Sequence, residues 1–124
     1  MKYLKVITVF ILVVLLSVAL VACGNDALQQ IVEEINNDTG MHNELRGYFT
    51  VRAEARGPST VVVVLRAERN ELEDPEVAEL MAVSGESFFR EAVREMRAAR
   101  ISNPILLLEF LDMRGIIIYT HEFS

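Results

Sequence analysis

The sequence predicts an α+β domain in which a four-stranded antiparallel sheet packs against one long helix, in the order αββαββ, after an N-terminal signal helix. Three observations predict this fold. Two pairs of short apolar segments are each separated by a glycine-containing turn, which is typical of β-hairpins. A longer segment between the pairs has helical periodicity. Residues 1–22 have the composition of a secretory signal.

The N-terminal segment has the charge pattern of a signal peptide. Two lysines, Lys2 and Lys5, precede an apolar run over residues 6–22 that only one threonine and one serine interrupt. This run is close to the lower limit of about 17–25 residues for a membrane-spanning helix. Its length alone therefore leaves a transmembrane signal anchor as an alternative.

The residues at the end of the run favour a cleaved signal. The stretch Leu20-Val21-Ala22-Cys23 resembles the bacterial lipobox, in which the thiol receives a diacylglyceryl group and the leader is removed before the cysteine. Cys23 is the only cysteine, so no disulfide can form within the chain. We predict a signal peptide over residues 1–22, lipidation at Cys23, and a domain over residues 23–124 anchored by its acyl chains to the extracytoplasmic face of the cell membrane.

Composition limits what the domain can bind. After removal of the leader, ten arginines stand against 18 acidic residues, and the net charge changes from −6 to −8. Such a charge disfavours nucleic acid and anionic headgroups as partners. A chain of about 100 residues forms one domain with one core, which excludes a solute-binding protein that closes two lobes around its ligand.

The first half of the domain is predicted to form a helix and a hairpin. Asp26 can cap a short helix whose apolar face carries four aliphatic residues at helical spacing, and a polar segment from Asn36 to Gly40 ends it. Alternating apolar residues predict a strand over Phe49–Ala55. A turn at Gly57-Pro58-Ser59 connects it to a β-branched strand over Thr60–Glu68.

The second half is predicted to form the long helix and a second hairpin. Asp74 and Pro75 are a capping residue and a proline at the first helical position, so the helix begins there and continues to about Arg100. Gly85, in mid-helix, indicates a kink or a close approach to the sheet. Strands follow over Ile105–Leu111 and Ile116–Phe123, around a turn in which Gly115 supplies the left-handed residue.

Pairing of Asp112 with Ile116 would give the second hairpin two apolar faces. One face would carry Leu106, Leu108, Phe110, Ile116 and Ile118, and the other Ile105, Leu107, Leu111, Ile117, Tyr119 and Phe123. The long helix covers one face. The first helix, a protein partner, a second copy of the chain or the membrane surface is needed to cover the other.

The mature chain also resembles a known family over most of its length. The segments VRAEARGPSTVVVVLRAE and ISNPILLLEFLDMRGIIIYTHEF, together with the lipobox, are similar to a domain-of-unknown-function family of small lipoproteins from Gram-positive gut anaerobes. The resemblance implies a helix-backed antiparallel sheet and an extracytoplasmic lipoprotein. It implies no activity.

Residues that could support catalysis or metal binding are few. His121 lies on the final strand, and Glu109 is expected opposite Tyr119 on the same face, so these two side chains could form an acid/base pair or supply two metal ligands. Ser84-Gly85-Glu86-Ser87 lacks the second glycine of a nucleophile elbow. The acidic cluster around Asp74 is explained by the start of a helix and has these members: Glu71, Glu73, Asp74, Glu76 and Glu79.

The sequence therefore predicts a non-enzymatic lipoprotein that acts in binding or in envelope structure, with no catalytic residue, metal or cofactor. A small metal-dependent or hydrolytic envelope enzyme is the alternative. The predicted partners of the lipoprotein are the membrane, through the lipid, and a protein or a second copy of the chain at the apolar sheet face. Nucleic acid is not expected to bind.

Overall fold

The computed structural model describes residues 24–124, which form a four-stranded sheet with helices on one side. One cluster of buried apolar side chains extends from Ala27 to Phe123, so these residues share a single core. The elements in chain order are α1 (Gly24–Asn37), α2 (Thr39–Glu44), β1 (Phe49–Ala55), β2 (Thr60–Ala67), a 3₁₀ turn (Asn70–Leu72), α3 (Pro75–Ser84), α4 (Glu86–Ala98), β3 (Ile105–Leu111) and β4 (Ile117–Phe123).

The sheet is mixed, with strand order β1-β2-β3-β4. Both predicted hairpins are antiparallel, but the central strands β2 and β3 run parallel. The prediction of a fully antiparallel sheet was therefore wrong at this one junction. The helical connection returns the chain to the end of the sheet at which β2 began, and a strand that starts there must run parallel to β2.

The predicted long helix is two helices that meet at Gly85. The backbone at Gly85 leaves helical geometry, at φ −96° and ψ 4°, and this glycine follows α3 and precedes α4. A Cβ atom at Gly85 would lie 2.5 Å from Cε2 of Phe89, a ring that is fully buried. The predicted kink is therefore present, and the close approach at Gly85 is to Phe89 of α4 and not to the sheet.

The hairpin formed by β3 and β4 contains an irregularity that reverses the faces of β4. The backbone N–H of Asp112 donates to the carbonyl of Ile116 at 2.9 Å, as predicted. The register then shifts next to Phe110, which pairs with Tyr119. One additional residue on β4 therefore lies between the pairs on either side of the shift. It moves Tyr119 and the rest of β4 to the opposite face, as a β-bulge does. The predicted grouping of Tyr119 and Phe123 with Ile105 was therefore wrong.

The helices cover one face of the sheet. Helix α1 contacts β1 and β2, whereas α3 and α4 contact β3 and β4. The other face, here called the open face, is covered by none of the described helices. By strand alternation it carries Thr50, Arg52, Glu54, Arg56, Val62, Val64, Arg66, Leu107, Glu109, Leu111, Thr120 and Glu122.

Asn36 at the end of α1 closes the edge of the sheet at β1. Its side-chain Nδ2 donates to the carbonyl of Ala53 at 2.8 Å, and its Oδ1 accepts from the N–H of Ala53 at 2.7 Å. The amide thereby replaces a neighbouring strand at this position. Occupying edge groups in this way protects a sheet from pairing with another chain. It also fixes the C-terminal end of α1 to β1.

Replacing Gly85 by alanine is expected to destabilise the fold. Alanine gains about 1 kcal/mol in intrinsic helix propensity, but its methyl group would press on the buried ring of Phe89, and overpacking a core costs about 1–3 kcal/mol. We expect Gly85→Ala to lower the free energy of unfolding measured by chemical denaturation. Ser84→Ala, at an exposed position one residue away, is the control. A Gly85→Ala variant as stable as the parent would contradict the close approach.

Candidate functional site

The open face combines a buried apolar centre with charged side chains around it. Val62 and Val64 are 0% and 4% exposed, although neither belongs to the core cluster under the helices. Val62 lies between Glu54 and Leu107 in the sheet register. The long side chains of this face can supply cover, because arginine and glutamate lay their aliphatic stems over apolar surface while the charged groups remain in water.

An ion-pair chain crosses the open face from β1 to β3. Nη1 of Arg56 donates to Oε2 of Glu109 at 2.8 Å, and its Nη2 donates to Oε1 of Glu54 at 2.6 Å. Arg52 contacts Glu54 at 3.4 Å from the other side. Since β2 lies between β1 and β3, the bridge from Arg56 to Glu109 must pass over β2. This crossing accounts for the burial of the valines below it.

The bridge also accounts for a buried carboxylate. Glu109 is 8% exposed, and a buried charge is costly unless it is paired and hydrogen-bonded. Arg56 provides that pairing, and its hydrogen bond to Glu109, followed by that to Glu54, raises the pKa of the Arg56 guanidinium above its ordinary value. Arg56 therefore stays charged at every physiological pH, and Glu109 keeps its partner.

A depression of about 230 Å³ lies beside this bridge, towards the end of the sheet where β2 and β3 terminate. Its lining residues are Thr50, Arg52, Val64, Arg66 and Leu111. Arg66 donates two hydrogen bonds to the carbonyl oxygen of Met113. One comes from Nε, at 3.2 Å, and the other from Nη2. This partner is a neutral dipole, so the guanidinium keeps its full charge and further N–H donors. The depression thus has an apolar floor, a hydroxyl group and two cations.

His121 and Glu109 do not form the pair that the sequence allowed. The bulge places His121 opposite Leu108 on the helix-covered face, whereas Glu109 lies opposite Thr120 on the open face. The imidazole ring of His121 stacks on Tyr119, with ring centroids 6.4 Å apart, and also contacts Phe123. The prediction that Glu109 faces Tyr119 was wrong, and the interpretation of His121 as a packed side chain fits its surroundings.

Three further titratable side chains, Tyr119, His42 and Asp74, have structural contacts. Burial, followed by the charge of Glu79, raises the pKa of Tyr119. His42, in the short helix α2, places Nε2 3.1 Å from the carbonyl of Ile35. Asp74 accepts the N–H of Glu76 at 2.9 Å and caps α3, as predicted.

Among the remaining candidates are Glu73 of the acidic cluster and the two serines, Ser84 and Ser87. Glu73 accepts the backbone N–H of Met113 at 2.7 Å and so connects the start of α3 to the turn between β3 and β4. Ser84 is exposed at the end of α3, and Ser87 is exposed in α4. Between residues 24 and 124, no three or more histidine, cysteine or acidic side chains are grouped so that they could hold a metal ion.

The predicted lipidation site lies outside the described residues. This applies to Cys23 itself and to Leu20, Val21 and Ala22 of the cleavage motif, as well as to the signal peptide over residues 1–22. Gly24, the first described residue, already belongs to α1. Among the helices from α1 to α4, none is long and apolar enough to cross a membrane.

Comparison of the chain with protein-family models, with curated proteins and with solved structures finds no match. The resemblance to small Gram-positive lipoproteins therefore stays a prediction, which rests on the sequence segments that carry it.

The depression was missed by sequence reasoning because its residues come from three strands. Arg52 was visible as an outward residue of the alternating first strand, whereas Arg66 follows the continuous apolar run of the second. What brings them together is the antiparallel register, in which Arg52 pairs with Val64 and Thr50 pairs with Arg66. The addition of Leu111 depends on the parallel pairing of β2 with β3. The first pairing was predictable from the hairpin, and the second was not.

Proposed function

We propose that this protein is a non-enzymatic binding module, held at the extracytoplasmic face of the cell membrane by a lipid on Cys23. Its binding surface is the arginine-lined depression of the open face. The ligand class is a small carboxylate that carries an apolar group. The observation on which the binding proposal rests is the convergence of Arg52, Arg66 and Thr50 over the apolar floor formed by Val64 and Leu111.

The anchor is supported by the position of the fold relative to the lipobox. Ala27 and Leu28 are both 3% exposed and belong to the core. Cys23 precedes Ala27 by four residues, a distance that a chain can extend to at most about 14 Å. A lipid on Cys23 would hold the folded domain directly against the membrane surface. The motif and the first packed residue are thus spaced as an anchored domain requires.

The carboxylate ligand is supported by charge and by shape. Arginine forms paired hydrogen bonds with carboxylates, and such charge-assisted bonds are stronger than neutral ones. Arg66 is bound to a backbone carbonyl and retains donors for an anion. The chain as a whole carries −6, so an anion is expected to find its favourable contacts at a local group of cations. The apolar floor suits a short alkyl or aryl group.

A binding role is favoured over the enzymatic alternative because the structure separates the best acid/base candidates, His121 and Glu109. His121 and Glu109 lie on opposite faces of the sheet, so neither can assist the other in proton transfer or share an ion with it. The imidazole contacts Tyr119 and Phe123, and the carboxylate is bound to Arg56. No described contact favours the enzyme hypothesis.

Pairing of two copies through the open face is less favourable than the sequence indicated. A dimer interface gains stability by burying exposed apolar surface, but Val62 and Val64 are already buried within the single chain. The charged side chains above them would lose hydration in such an interface. The proposal therefore assigns this face to a small ligand.

Loss of the thiol at Cys23 is expected to prevent attachment of the lipid. Cells that express the full chain and receive labelled palmitate should incorporate label into the parent protein and none into Cys23→Ala, because the thioether cannot form. Ser17→Ala, within the same leader, is the control and should be labelled like the parent. A labelled Cys23→Ala variant, or a parent that keeps residues 1–22 in mass spectrometry, would contradict the anchor.

Binding at the depression can be tested with hexanoate as the probe. Residues 24–124 contain the whole described core, and we expect hexanoate to shift the side-chain N–H resonances of Arg52 and Arg66 in NMR spectra. The dissociation constant should be on the order of 1 mM, since about −4 kcal/mol is reasonable for so small a ligand. Hexanol, which has the same chain without the charge, should shift them far less.

Two variants separate the depression from general charge effects. Arg66→Gln should abolish the hexanoate shifts at Arg52, whereas Arg94→Gln, which removes an exposed arginine of α4 paired with Glu91, should leave them unchanged. Equal responses of the two variants, or equal shifts with hexanol and hexanoate, would show that the depression is not a carboxylate site.

A further inference from the structure

The turn between β3 and β4 exposes a group of large apolar side chains. Met113, Ile116 and Ile117 are 42%, 58% and 51% exposed, respectively, and all lie within five consecutive residues. Arg114 lies between them in the sequence, so the turn also carries one cation. Clustered exposed apolar side chains of this kind mark an interaction surface, whereas isolated ones do not.

The turn is held in a fixed conformation by side chains on three sides. Glu73 accepts from the N–H of Met113 at 2.7 Å, and Arg66 donates to the carbonyl oxygen of the same residue. Oδ1 of Asp112 accepts from the N–H groups of Arg114 and Ile116, both at 2.9 Å. The apolar side chains are therefore presented on a rigid support, and docking them costs little conformational entropy.

The anchored end of the domain and this turn lie at the same end of the sheet. The register places Phe49, Ala67, Leu111 and Ile117 at the end that carries the turn. Asn36, near the C-terminal end of α1, is bound to Ala53, about 13 Å along β1 from Phe49.

The direction of α1 follows from this contact. From Asn36 back to Ala27 the helix extends about 13 Å, and Ala27 and Leu28 are buried against the core. Helix α1 contacts β1 and β2 along this length. It must therefore run back towards Phe49, because in the opposite direction Ala27 would lie beyond the sheet. The start of α1 therefore belongs to the end that carries the turn, and Cys23 directly precedes it in the sequence.

From these two observations we infer that the β3–β4 turn docks into the interface of the lipid bilayer and orients the domain on the membrane. This inference rests on the proposed lipid anchor. Met113, Ile116 and Ile117 enter the boundary between headgroups and acyl chains, as the apolar faces of interfacial segments do. Arg114 stays at the headgroups. The carboxylates of Asp112 and Glu73 are directed to backbone N–H groups of the turn.

A lipid occupant is favoured over a protein by the shortness of the tether. A lipid on Cys23 holds the turn end of the domain at the bilayer, so the apolar side chains meet lipid at high effective concentration. The hydrophobic contact then adds to the acyl anchor, and the second contact restricts rotation about the tether. The open face lies along the side of the sheet, and its depression lies near the turn end, so a ligand would reach it from the membrane surface.

A single introduced cysteine can report the position of the turn. In the acylated full chain the sulfur of Cys23 is blocked, so Ile116→Cys provides the one thiol that reacts with an environment-sensitive fluorophore. The matched control is Val83→Cys, at a site in α3 that is 57% exposed, against 58% for Ile116. Both lipidated variants are reconstituted into vesicles of phosphatidylcholine and phosphatidylglycerol, and equal thermal midpoints confirm that both are folded.

We expect the label at position 116 to shift its emission to the blue and to lose intensity to a nitroxide attached to lipid. The label at position 83 should lose intensity only to a water-soluble quencher. Equal quenching of both labels from water would overturn the inference while leaving the anchor intact. If the label at position 116 is protected from the water-soluble quencher and is also not quenched by the lipid nitroxide, the inference is overturned in favour of a protein partner. A reactive thiol in the wild-type chain would contradict the anchor, and the docking with it.

Discussion

The ion pair between Arg56 and Glu109 helps to cover the sheet face that no described helix covers. Helices cover one face of the four-stranded sheet, and the other face must shield its own apolar centre. The bridge of Arg56 to Glu109 and Glu54 passes over the central strands, where Val62 and Val64 are buried without a helix above them. This face therefore presents charged groups over a buried apolar centre, and the depression lies beside the bridge.

Local sequence signals predicted the local structure well. Strand β1 and strand β3 have the predicted bounds, Asp74 caps the helix that begins at Pro75, and Gly57 and Gly115 have the positive φ angles of tight turns. Each of these features is determined by neighbours in the chain, through alternation, capping or glycine geometry. The α+β class and the four strands follow from them.

The features that were wrong depend on distant residues. The parallel pairing of β2 with β3 is decided by how the helical connection returns to the sheet, which no local pattern encodes. The bulge beside Phe110 reverses the faces of β4 and separates His121 from Glu109. For the same reason the depression, assembled from three strands, could not be predicted from any one segment. The division of the long helix at Gly85 is the one difference that is local, since this glycine was already recognised in mid-helix.

The proposed lipid anchor, the docked turn and the ligand site are related by their positions on the sheet. The start of α1 belongs to the end of the sheet that carries the apolar turn, and the arginine-lined depression lies on the open face. If the domain is held at that end by lipid and turn, the depression lies near the headgroups and its ligand reaches it from the membrane surface. None of the helices between residues 24 and 124 covers this face.

The most direct test of this account is a double-mutant cycle on Arg56 and Glu109, read as the free energy of unfolding of residues 24–124. If the bridge closes the open face, the Arg56→Ala and Glu109→Ala effects will be strongly coupled, and the double variant will lose clearly less stability than the sum of the single losses. The corresponding cycle with Arg94, which pairs with Glu91 in α4 and lies outside this ion-pair chain, should be close to additive. Additive effects of Arg56 and Glu109 would contradict the account.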